Sequence, residues 1–203
     1  MVLQSFLMKE IELKAHVLER EKTRRNIEAF AHLQCALVKE DVYYEMLGKE
    51  GVRLRIRREE QEGKATYLAT YKKNETFFTG ERGQTEVNEE IECTLSSPDA
   101  IEAFLYDTGF TAVLKKRKET LSWKKETDLV IAGERLFATL ELCCVPPLGD
   151  FIEIEILSPS DDEASVEAIQ EELLRLLERC GVGRECIERQ YYSDLLLQKQ
   201  TQS

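Results

Sequence analysis

Residues 10–14 read Glu-Ile-Glu-Leu-Lys, and the alternation of polar and apolar side chains continues to Val17. Successive side chains of a β-strand point to opposite faces, so Glu10, Glu12 and Lys14 share one face of a predicted strand whose other face is apolar. The two carboxylates lie about 6 to 7 Å apart along such a strand. This spacing suits one hard divalent cation, and the lysine suits the phosphate oxygens that such a cation brings. One isolated segment of this kind is more often an ordinary amphipathic strand with a solvated polar face.

The composition places this chain of 203 residues among globular proteins, with 42% apolar and 33% charged residues. The net charge of −11 argues against nucleic acid or an anionic membrane as the main partner. The six cysteines show neither a CxxC pair nor the spacing of zinc ligands, which indicates reduced thiols. No apolar run approaches the length that spans a membrane. We therefore expect a soluble, cytoplasmic protein that binds no nucleic acid and no membrane.

The two-residue alternation recurs along the chain and predicts further strands. These cover residues 38–47, 51–58, 65–73, 86–95, 111–123 and 149–157. Residues 129–145 are predicted to form a hairpin that turns near Gly133. Many strands with short connections indicate an antiparallel sheet.

Helical spacing of apolar residues predicts a few helices between these strands. They lie within residues 20–36, 97–109 and 160–180. Ser97 is the expected N-cap of the second helix, and Ser160 with Glu163 is expected to form a capping box for the third. Few helices beside many antiparallel strands indicate the α+β class.

Several predicted strands carry charges of a single sign on their polar faces: Arg53, Arg55 and Arg57 are all positive, and Glu90 with Glu92 and Glu153 with Glu155 are all negative. The charged residues in phase on all the strands are six negative and six positive. The negative members are Glu10, Glu12, Glu90, Glu92, Glu153 and Glu155. The positive members are Lys14, Arg55, Arg57, Lys72, Lys115 and Arg117. Like charges on alternate residues of one strand repel, so a solvated face would be expected to mix both signs with neutral side chains.

This segregation of charge suggests a shared cavity with an acidic wall for metal and a basic wall for phosphates. A closed barrel with a polar interior has this geometry if amphipathic helices cover its apolar outer faces. A sandwich with charged outer faces fits the same pattern. The strand pattern alone leaves both architectures open.

Five motifs, in the same order along the chain, resemble the CYTH superfamily, the triphosphate tunnel metalloenzymes. They are Glu10-x-Glu12-x-Lys14, Leu54-Arg55-Ile56-Arg57, Thr70-Tyr71-Lys72, Lys115-x-Arg117 and Leu148-Gly149-Asp150-Phe151-Ile152-Glu153-Ile154-Glu155. Each motif is weak by itself, and five in the family's order are specific. The resemblance implies an α+β fold in which an eight-stranded antiparallel closed β-barrel, with flanking helices, surrounds a triphosphate. It covers about residues 6–197 and implies that residues 1–203 form one domain.

The resemblance also implies the roles of individual residues. Mg²⁺ or Mn²⁺ is expected on Glu10, Glu12, Glu153 and Glu155. The triphosphate is expected on Lys14, Arg55, Arg57, Lys72, Lys115 and Arg117. Glu12 and Lys14 are the expected catalytic residues, and further acidic positions of the site are Glu90, Glu92 and Glu141. Phosphoryl and nucleotidyl transfer depend mostly on positioning and charge neutralisation, so the site requires no catalytic histidine or serine.

Two further segments are similar to the class IV adenylyl cyclase branch: Asp41-Val42-Tyr43-Tyr44 and Tyr192-Ser193-Asp194-Leu195-Leu196. That branch implies conversion of ATP to cyclic AMP and pyrophosphate, by attack of the ribose 3′-hydroxyl on the α-phosphorus. One alternative is a thiamine or inorganic triphosphatase, in which water attacks the γ-phosphorus. Another is a module that binds a polyphosphate or nucleotide without turnover. The expected partner is a small-molecule triphosphate (ATP, thiamine triphosphate or inorganic triphosphate), and the chain is expected to be a monomer or a homodimer.

The chain departs from the family pattern at two positions. Asn88 stands where the family usually has an arginine ahead of the acidic pair, and Cys143 stands where it usually has an aspartate. Glu141 shares the predicted face of Cys143 and is expected to take over part of that role. The second-metal geometry is therefore the part of the site that the resemblance leaves open.

Overall fold

The structure is a computed structural model that describes residues 8–48, 53–80 and 83–201. Within these ranges, the side chains of residues 72–80, 83–86, 88–90, 200 and 201 lie outside the description. The described residues form nine strands and four α-helices, and all the strand pairings are antiparallel. The predicted α+β class and antiparallel sheet are confirmed.

The strands carry most of the described chain. They are β1 (Lys9–His16), β2 (His32–Met46), β3 (Arg53–Gln61), β4 (Lys64–Gly80), β5 (Gly83–Leu95), β6 (Phe110–Ile131), β7 (Glu134–Val145), β8 (Gly149–Ser158) and β9 (Ile187–Glu188). The helices are α1 (Arg20–Glu28), α2 (Asp99–Asp107), α3 (Glu163–Arg179) and α4 (Tyr192–Thr201). Among the described residues, no helix is both long enough and apolar enough to cross a membrane.

The predicted hairpin near Gly133 is confirmed as the connection between β6 and β7. Ala132 and Gly133 form this turn with φ angles of 52° and 83°. Glycine adopts positive φ without the steric cost that a Cβ atom brings, which explains its place in the turn. The first of its two strands is longer than predicted, because β6 runs without interruption from Phe110 to Ile131, whereas β7 ends at Val145 as predicted.

The predicted helix within residues 20–36 is wrong in its second half. Helix α1 ends at Glu28, and β2 begins at His32. His32 lies opposite Lys124, and Leu33 opposite Trp123, in the pairing with β6. Residues 32–36 are extended because they pair with the long strand β6. The spacing of apolar residues in the sequence carries no information on that pairing.

Both predicted helix caps are also wrong in detail. The N-cap of α3 is Asp162 and not Ser160. The Asp162 carboxylate accepts a hydrogen bond of 3.0 Å from the Ser165 amide. The N-cap position of α2 is Pro98, which has no side-chain hydrogen bond to the helix. Ser97 lies one residue earlier, and its hydroxyl accepts a hydrogen bond of 3.3 Å from the Asp99 amide.

The strands form one sheet in the order β5-β4-β3-β2-β6-β7-β8-β1-β9. Strand β1 pairs with β8 along its whole length, with Glu12 opposite Glu155 and Lys14 opposite Glu153. It also pairs with β5, which stands at the other end of this order, through Ile11 opposite Val87. The N-terminal strand therefore contacts strands from both ends of the sheet order.

The main hydrophobic core lies between the apolar faces of β1, β6, β7 and β8 and the helices α1 and α3. Its strand members include Ile11, Leu13, Trp123, Leu140, Leu142, Ile152, Ile154 and Ile156. Its members from α3 include Val166, Ile169, Leu173, Leu176 and Leu177. Because one face of these strands is covered by helices, the alternating charged residues point to the opposite face.

A second apolar cluster lies under helix α2. Tyr44 of β2 and Ile56 of β3 pack there against Leu105 of α2. The hydroxyl of Tyr44 donates a hydrogen bond of 2.7 Å to the Glu102 carboxylate. Helices thus cover apolar faces of the strands at two places: α1 and α3 lie over β1, β6, β7 and β8, and α2 lies over β2 and β3.

The packing of α3 on the strands provides a test of this core. Leu173 is fully buried, so Leu173→Ala removes methyl groups from a packed site and should lower the free energy of unfolding by about 2 to 5 kcal/mol. Leu18 is 88% exposed, and Leu18→Ala should change it by about 0.5 kcal/mol or less. Urea unfolding of both variants measures the difference, and equal values for the two would contradict the assigned core.

Candidate active site

The charged faces of the strands line one cavity with a volume of about 330 Å³. Its wall includes nine of the residues predicted for the site: Glu10, Glu12, Lys14, Arg55, Arg57, Glu92, Glu141, Glu153 and Glu155. The structure therefore brings acidic side chains of β1, β7 and β8 to the same cavity as basic side chains of β3. Leu68 is the one aliphatic side chain among the described lining residues. The cavity is suited to a charged ligand.

Two of the predicted phosphate-binding residues do not lie in the cavity. Lys115 and Arg117 are exposed on the outer face of β6, whereas Lys116 and Lys118 are buried and line the cavity. The placement predicted for Lys115 and Arg117 is wrong by one residue. The sequence Lys115-Lys116-Arg117-Lys118 offers two basic side chains to each face, so charge alone does not determine the orientation.

Two other predicted residues, Lys72 and Glu90, have side chains outside the described part of the structure. Their backbones lie in β4 and β5 and are directly opposite each other in the strand pairing. The roles predicted for their side chains stay predictions.

Asp41 of β2 joins two basic residues of the cavity wall. It accepts hydrogen bonds from Arg57 Nε at 2.6 Å, Arg57 Nη2 at 3.0 Å and the Tyr43 hydroxyl at 3.4 Å, and it forms an ion pair with Lys116 Nζ at 3.0 Å. Burial raises the pKa of the Asp41 carboxyl, but Lys116 and Arg57 outweigh burial and hold this pKa well below its usual value. The carboxylate thus holds both cations at the cavity wall.

Glu141 and Glu153 form a second acidic group, and they are paired with two lysines. Lys39 Nζ donates to Glu141 Oε1 at 2.6 Å, and Lys118 Nζ donates to Glu153 Oε2 at 2.6 Å. Lys118 Nζ also lies 3.6 Å from Glu141 Oε2. Burial raises the pKa values of both carboxyls, but the lysines lower them by more than burial raises them. Both pKa values therefore lie below the usual range.

Glu10, Glu12 and Glu155 form a third acidic group, to which each contributes an oxygen within 4.8 Å of the other two. Burial raises the pKa of the Glu155 carboxyl, and the nearby Glu141 and Glu12 raise it further. A hydrogen bond with Glu10 lowers this pKa by less, so it lies above its usual value. Carboxylates held this close repel one another until a cation or a proton neutralises them. Three carboxylate oxygens fit the hard-ligand preference of Mg²⁺ or Mn²⁺.

A chain of polar contacts connects β3, β4 and β5 at the basic wall. Arg55 Nη2 donates to Thr70 Oγ1 at 3.1 Å, and the Thr70 hydroxyl donates to Glu92 Oε2 at 2.8 Å. Arg55 also lies 3.9 Å from Glu92. These contacts orient the guanidinium group of Arg55, which lines the cavity.

The start of helix α4 lies against one part of the cavity. The Tyr192 ring packs edge-on against Phe151 at 5.0 Å and belongs to an apolar cluster with Cys143 and Val145. Ammonium groups surround the same ring: those of Lys14, Lys116 and Lys118 lie 4.7, 5.0 and 5.8 Å from its centroid. Cation–π attraction of this kind stabilises ammonium groups that would otherwise repel one another.

Cys143, at the position of the family's usual aspartate, is fully buried in that apolar cluster. Burial raises the pKa of the Cys143 thiol to about 12. The Thr120 hydroxyl donates to its sulfur at 3.6 Å. The side chain is therefore a neutral thiol at physiological pH and provides no negative charge to the site.

A family model described as the CYTH domain matches residues 8–192. The chain belongs to the CYTH domain family. This confirms the resemblance that the five motifs carry. No curated protein sequence matches the chain significantly.

Solved structures with the same fold cover nearly the whole CYTH chain. The PH1819 protein from Pyrococcus horikoshii is 28% identical, with a TM-score of 0.73 over 94% of this chain and 99% of that one. A putative adenylate cyclase from Vibrio parahaemolyticus is 16% identical, with a TM-score of 0.69 over 92% and 97%. HpAC1 from Hippeastrum is 15% identical, with a TM-score of 0.54 over 86% and 88%, and is described as a putative adenylyl cyclase with a dominant triphosphatase activity. The last two similarities concern the fold alone.

Several residues of the CYTH cavity were not predicted as site residues. They include Lys39, Tyr43, Arg53, Glu59, Thr70, Lys116, Lys118, Tyr192 and Ser193, and behind them Asp41, which contacts Arg57 and Lys116. A signal for Lys116 and Lys118 was present in β6, because the odd-numbered Leu121 and Trp123 pack on the helix-covered core and leave the even positions on the inner face. No comparable signal in the sequence marks Lys39, which takes its place through the pairing of β2 with β6.

Asp41 is expected to contribute to stability in a pH-dependent way. Asp41→Asn removes the carboxylate that two buried cations share, and it leaves Arg57 with the more distant Glu59 at 3.6 Å. It should lower the free energy of unfolding by about 3 to 5 kcal/mol at pH 7. The folded-state pKa of Asp41 lies below its unfolded value of about 3.9, so its contribution is present above that value and is lost as the pH falls through the folded pKa. Denaturant unfolding between pH 7 and pH 2 should show the gap between wild type and variant narrowing below about pH 4.

The control for this prediction is Asp161→Asn, because the Asp161 side chain is 60% exposed. It should change the free energy of unfolding by about 0.5 kcal/mol or less. A gap between wild type and Asp41→Asn that stays constant down to pH 2 would contradict the role assigned to Asp41.

Proposed function

We propose that this chain is a divalent-metal-dependent enzyme that acts on the triphosphate group of a small molecule. The observation that carries the proposal is the presence, in one cavity, of a carboxylate group (Glu10, Glu12 and Glu155) and of basic side chains from β1, β3 and β6. A triphosphate with its metal ion needs both kinds of side chain at short range. Membership in the CYTH domain family supports the same conclusion.

The proposal includes a closed eight-stranded barrel around the cavity, formed by one domain over residues 1–203. Its support is the pairing of β1 with both β8 and β5, which gives each of β1 to β8 two neighbouring strands. Such a ring leaves no open edge among these strands. Charges from distant strands then face one another across a narrow interior, where a polyanion can contact several of them at once.

The acidic group is proposed to bind Mg²⁺ or Mn²⁺ through Glu10, Glu12 and Glu155. Glu153 contributes at the border of this group, since it lines the same cavity and follows the alternation of Glu155 in β8. The bound ion would neutralise phosphate charge and orient the triphosphate. Glu12 has the catalytic role of holding this ion, in line with the role predicted from the resemblance.

The basic wall is proposed to hold the phosphate oxygens. Its members are Lys14, Arg53, Arg55, Arg57 and Lys116. Arginine offers two parallel donors to a phosphate group, and lysine offers a compact charge. Lys14 also lines the cavity, and in the strand pairing it lies opposite Glu153. We assign it the catalytic role of neutralising the reacting phosphate.

The first candidate reaction is the class IV adenylyl cyclase reaction. The ribose 3′-hydroxyl oxygen bonds to the α-phosphorus of ATP, the bond from that phosphorus to the bridging oxygen breaks, and pyrophosphate leaves. Two segments of the cyclase type contribute to the cavity wall, since Tyr43, Tyr192 and Ser193 line it. Basic residues around the leaving pyrophosphate would stabilise the charge that develops on it.

The second candidate reaction is hydrolysis of thiamine triphosphate or inorganic triphosphate. Water attacks the γ-phosphorus, the bond from that phosphorus to the bridging oxygen breaks, and orthophosphate forms while thiamine diphosphate or pyrophosphate leaves. The composition of the wall is compatible with it, because Leu68 is the one aliphatic side chain among the described lining residues and most of the others are charged. Inorganic triphosphate, which has no organic group, satisfies such a wall. The fold shared with HpAC1, described as having a dominant triphosphatase activity, is compatible with this reaction.

Product identification distinguishes the two reactions. The protein is incubated with ATP, thiamine triphosphate and inorganic triphosphate, each with Mg²⁺ or Mn²⁺, and the products are identified by chromatography. Cyclic AMP with pyrophosphate would indicate the cyclase, and free phosphate the triphosphatase. Binding without product from any of the three would contradict enzymatic function and would favour a binding module.

The metal group is tested by Glu12→Gln, which removes one ligand charge. The metal-dependent rate should fall by about 100-fold or more, and the protein should unfold at the wild-type temperature or above it, because carboxylate repulsion decreases. Glu119→Gln is the matched control, since Glu119 is exposed on the outer face of β6. A wild-type rate in Glu12→Gln would refute the assigned metal group.

The basic wall is tested by comparing two adjacent lysines of β6. Lys116→Met removes an inner charge and should weaken binding of tripolyphosphate by about 10-fold or more, whereas Lys115→Met removes an outer charge and should leave binding unchanged. Thermal unfolding with and without tripolyphosphate measures this, because ligand at 100 times its Kd stabilises a protein by about 2.7 kcal/mol. Equal losses in both variants, or equal stabilisation of wild type by monophosphate and tripolyphosphate, would contradict a convergent basic wall.

A further inference from the structure

The ammonium group of Lys118 lies inside a group of potential metal ligands. Glu141, Cys143 and Glu153 each contribute a ligand atom within 4.8 Å of the other two. Lys118 Nζ contacts this group directly, at 2.6 Å from Glu153 Oε2 and 3.6 Å from Glu141 Oε2. The distances between the carboxylates alone would suggest a site for a divalent ion, but a positive charge already stands beside them.

The charges of this inner group are balanced without any added ion. Glu141 and Glu153 carry two negative charges, and Lys39 and Lys118 carry two positive charges at hydrogen-bond distance. The remaining potential ligand, Cys143, offers sulfur, which is a poor ligand for hard ions such as Mg²⁺ and Mn²⁺. A divalent ion in this position would have to displace one of the ammonium groups.

Displacement of Lys118 is opposed by its surroundings. Its side chain is 4% exposed, and its strand is paired with β2 on one side and β7 on the other. The other charged groups that it would approach in the cavity include Lys116 and Arg57, which are positive and already hold Asp41. An ammonium group leaving Glu153 and Glu141 would therefore lose two carboxylate partners and keep the repulsion of Arg57.

We propose that Lys118 acts as the built-in counter-cation of the inner group, so that the chain binds one divalent ion, at Glu10, Glu12 and Glu155. The inference rests on the proposed function for the position of that single ion. Lys118 is a positioning residue here: it holds Glu153 and Glu141 in place beside the ion and determines how many ions enter. Without Lys118, the Glu153 carboxylate and the oxygen of Glu141 that does not bind Lys39 would offer hard ligands for a second ion.

Counting bound Mn²⁺ tests this proposal independently of activity. Electron paramagnetic resonance of free Mn²⁺ during titration gives the number of ions per chain, with Mn²⁺ as the only added ligand. Wild type should bind one ion, and Lys118→Met should bind two. Lys118→Arg keeps the positive charge and should bind one. Lys116→Met, a neighbouring inner lysine that contacts Asp41 instead, should also bind one.

Two glutamate variants locate the ions and do not depend on the folding of Lys118→Met. Glu12→Gln should abolish the single ion of wild type, and Glu141→Gln should leave the count at one. Two ions in wild type, one ion in folded Lys118→Met, or loss of the wild-type ion in Glu141→Gln would overturn the role of Lys118 while leaving metal dependence intact. No bound ion in either wild type or Lys118→Met would instead overturn the metal site of the proposed function.

Discussion

Compensation of opposite charges across different strands is the constraint on which the cavity depends. Charged side chains that leave water need a partner, because an unpaired buried charge costs several kcal/mol. The shortest ion pairs of the cavity join side chains of different strands. Asp41 of β2 holds Arg57 of β3 and Lys116 of β6, and Lys118 of β6 holds Glu153 of β8. These pairs allow a charged interior to coexist with the apolar core on the other face of the same strands.

The same constraint explains why the cavity is suited to a metal and a polyanion together. Where acidic and basic groups already neutralise each other, as at Glu141 with Lys39, the local charge is balanced. Where three carboxylates gather, as at Glu10, Glu12 and Glu155, repulsion favours a cation. A triphosphate with its metal ion brings both signs of charge. The ion can neutralise the three carboxylates, and the phosphates can bind the basic side chains of the wall.

Much of this arrangement could be predicted from the sequence, because β-strand periodicity is read directly from alternating residues. The alternation at Glu10, Glu12 and Lys14, and that at Glu153 and Glu155, predicts inner faces that the structure confirms as cavity walls. The α+β class and the β6–β7 turn followed from the same pattern. Lys115 and Arg117 were placed wrongly, because four consecutive basic residues fit either face and only the packing of neighbouring Leu121 and Trp123 distinguishes them. Lys39 and the end of α1 depend on which strands pair, and local sequence carries little information on pairing.

The central claim is that one cavity holds the metal on its carboxylates and the phosphates on its basic wall. Crystals grown with Mn²⁺ and tripolyphosphate test it most directly, because anomalous scattering locates manganese independently of the phosphate density. The account predicts manganese beside Glu10, Glu12 and Glu155, with the phosphate chain reaching Arg55 and Lys116. Manganese or phosphate bound only on the outer surface, for example at Lys115 and Arg117, would contradict it.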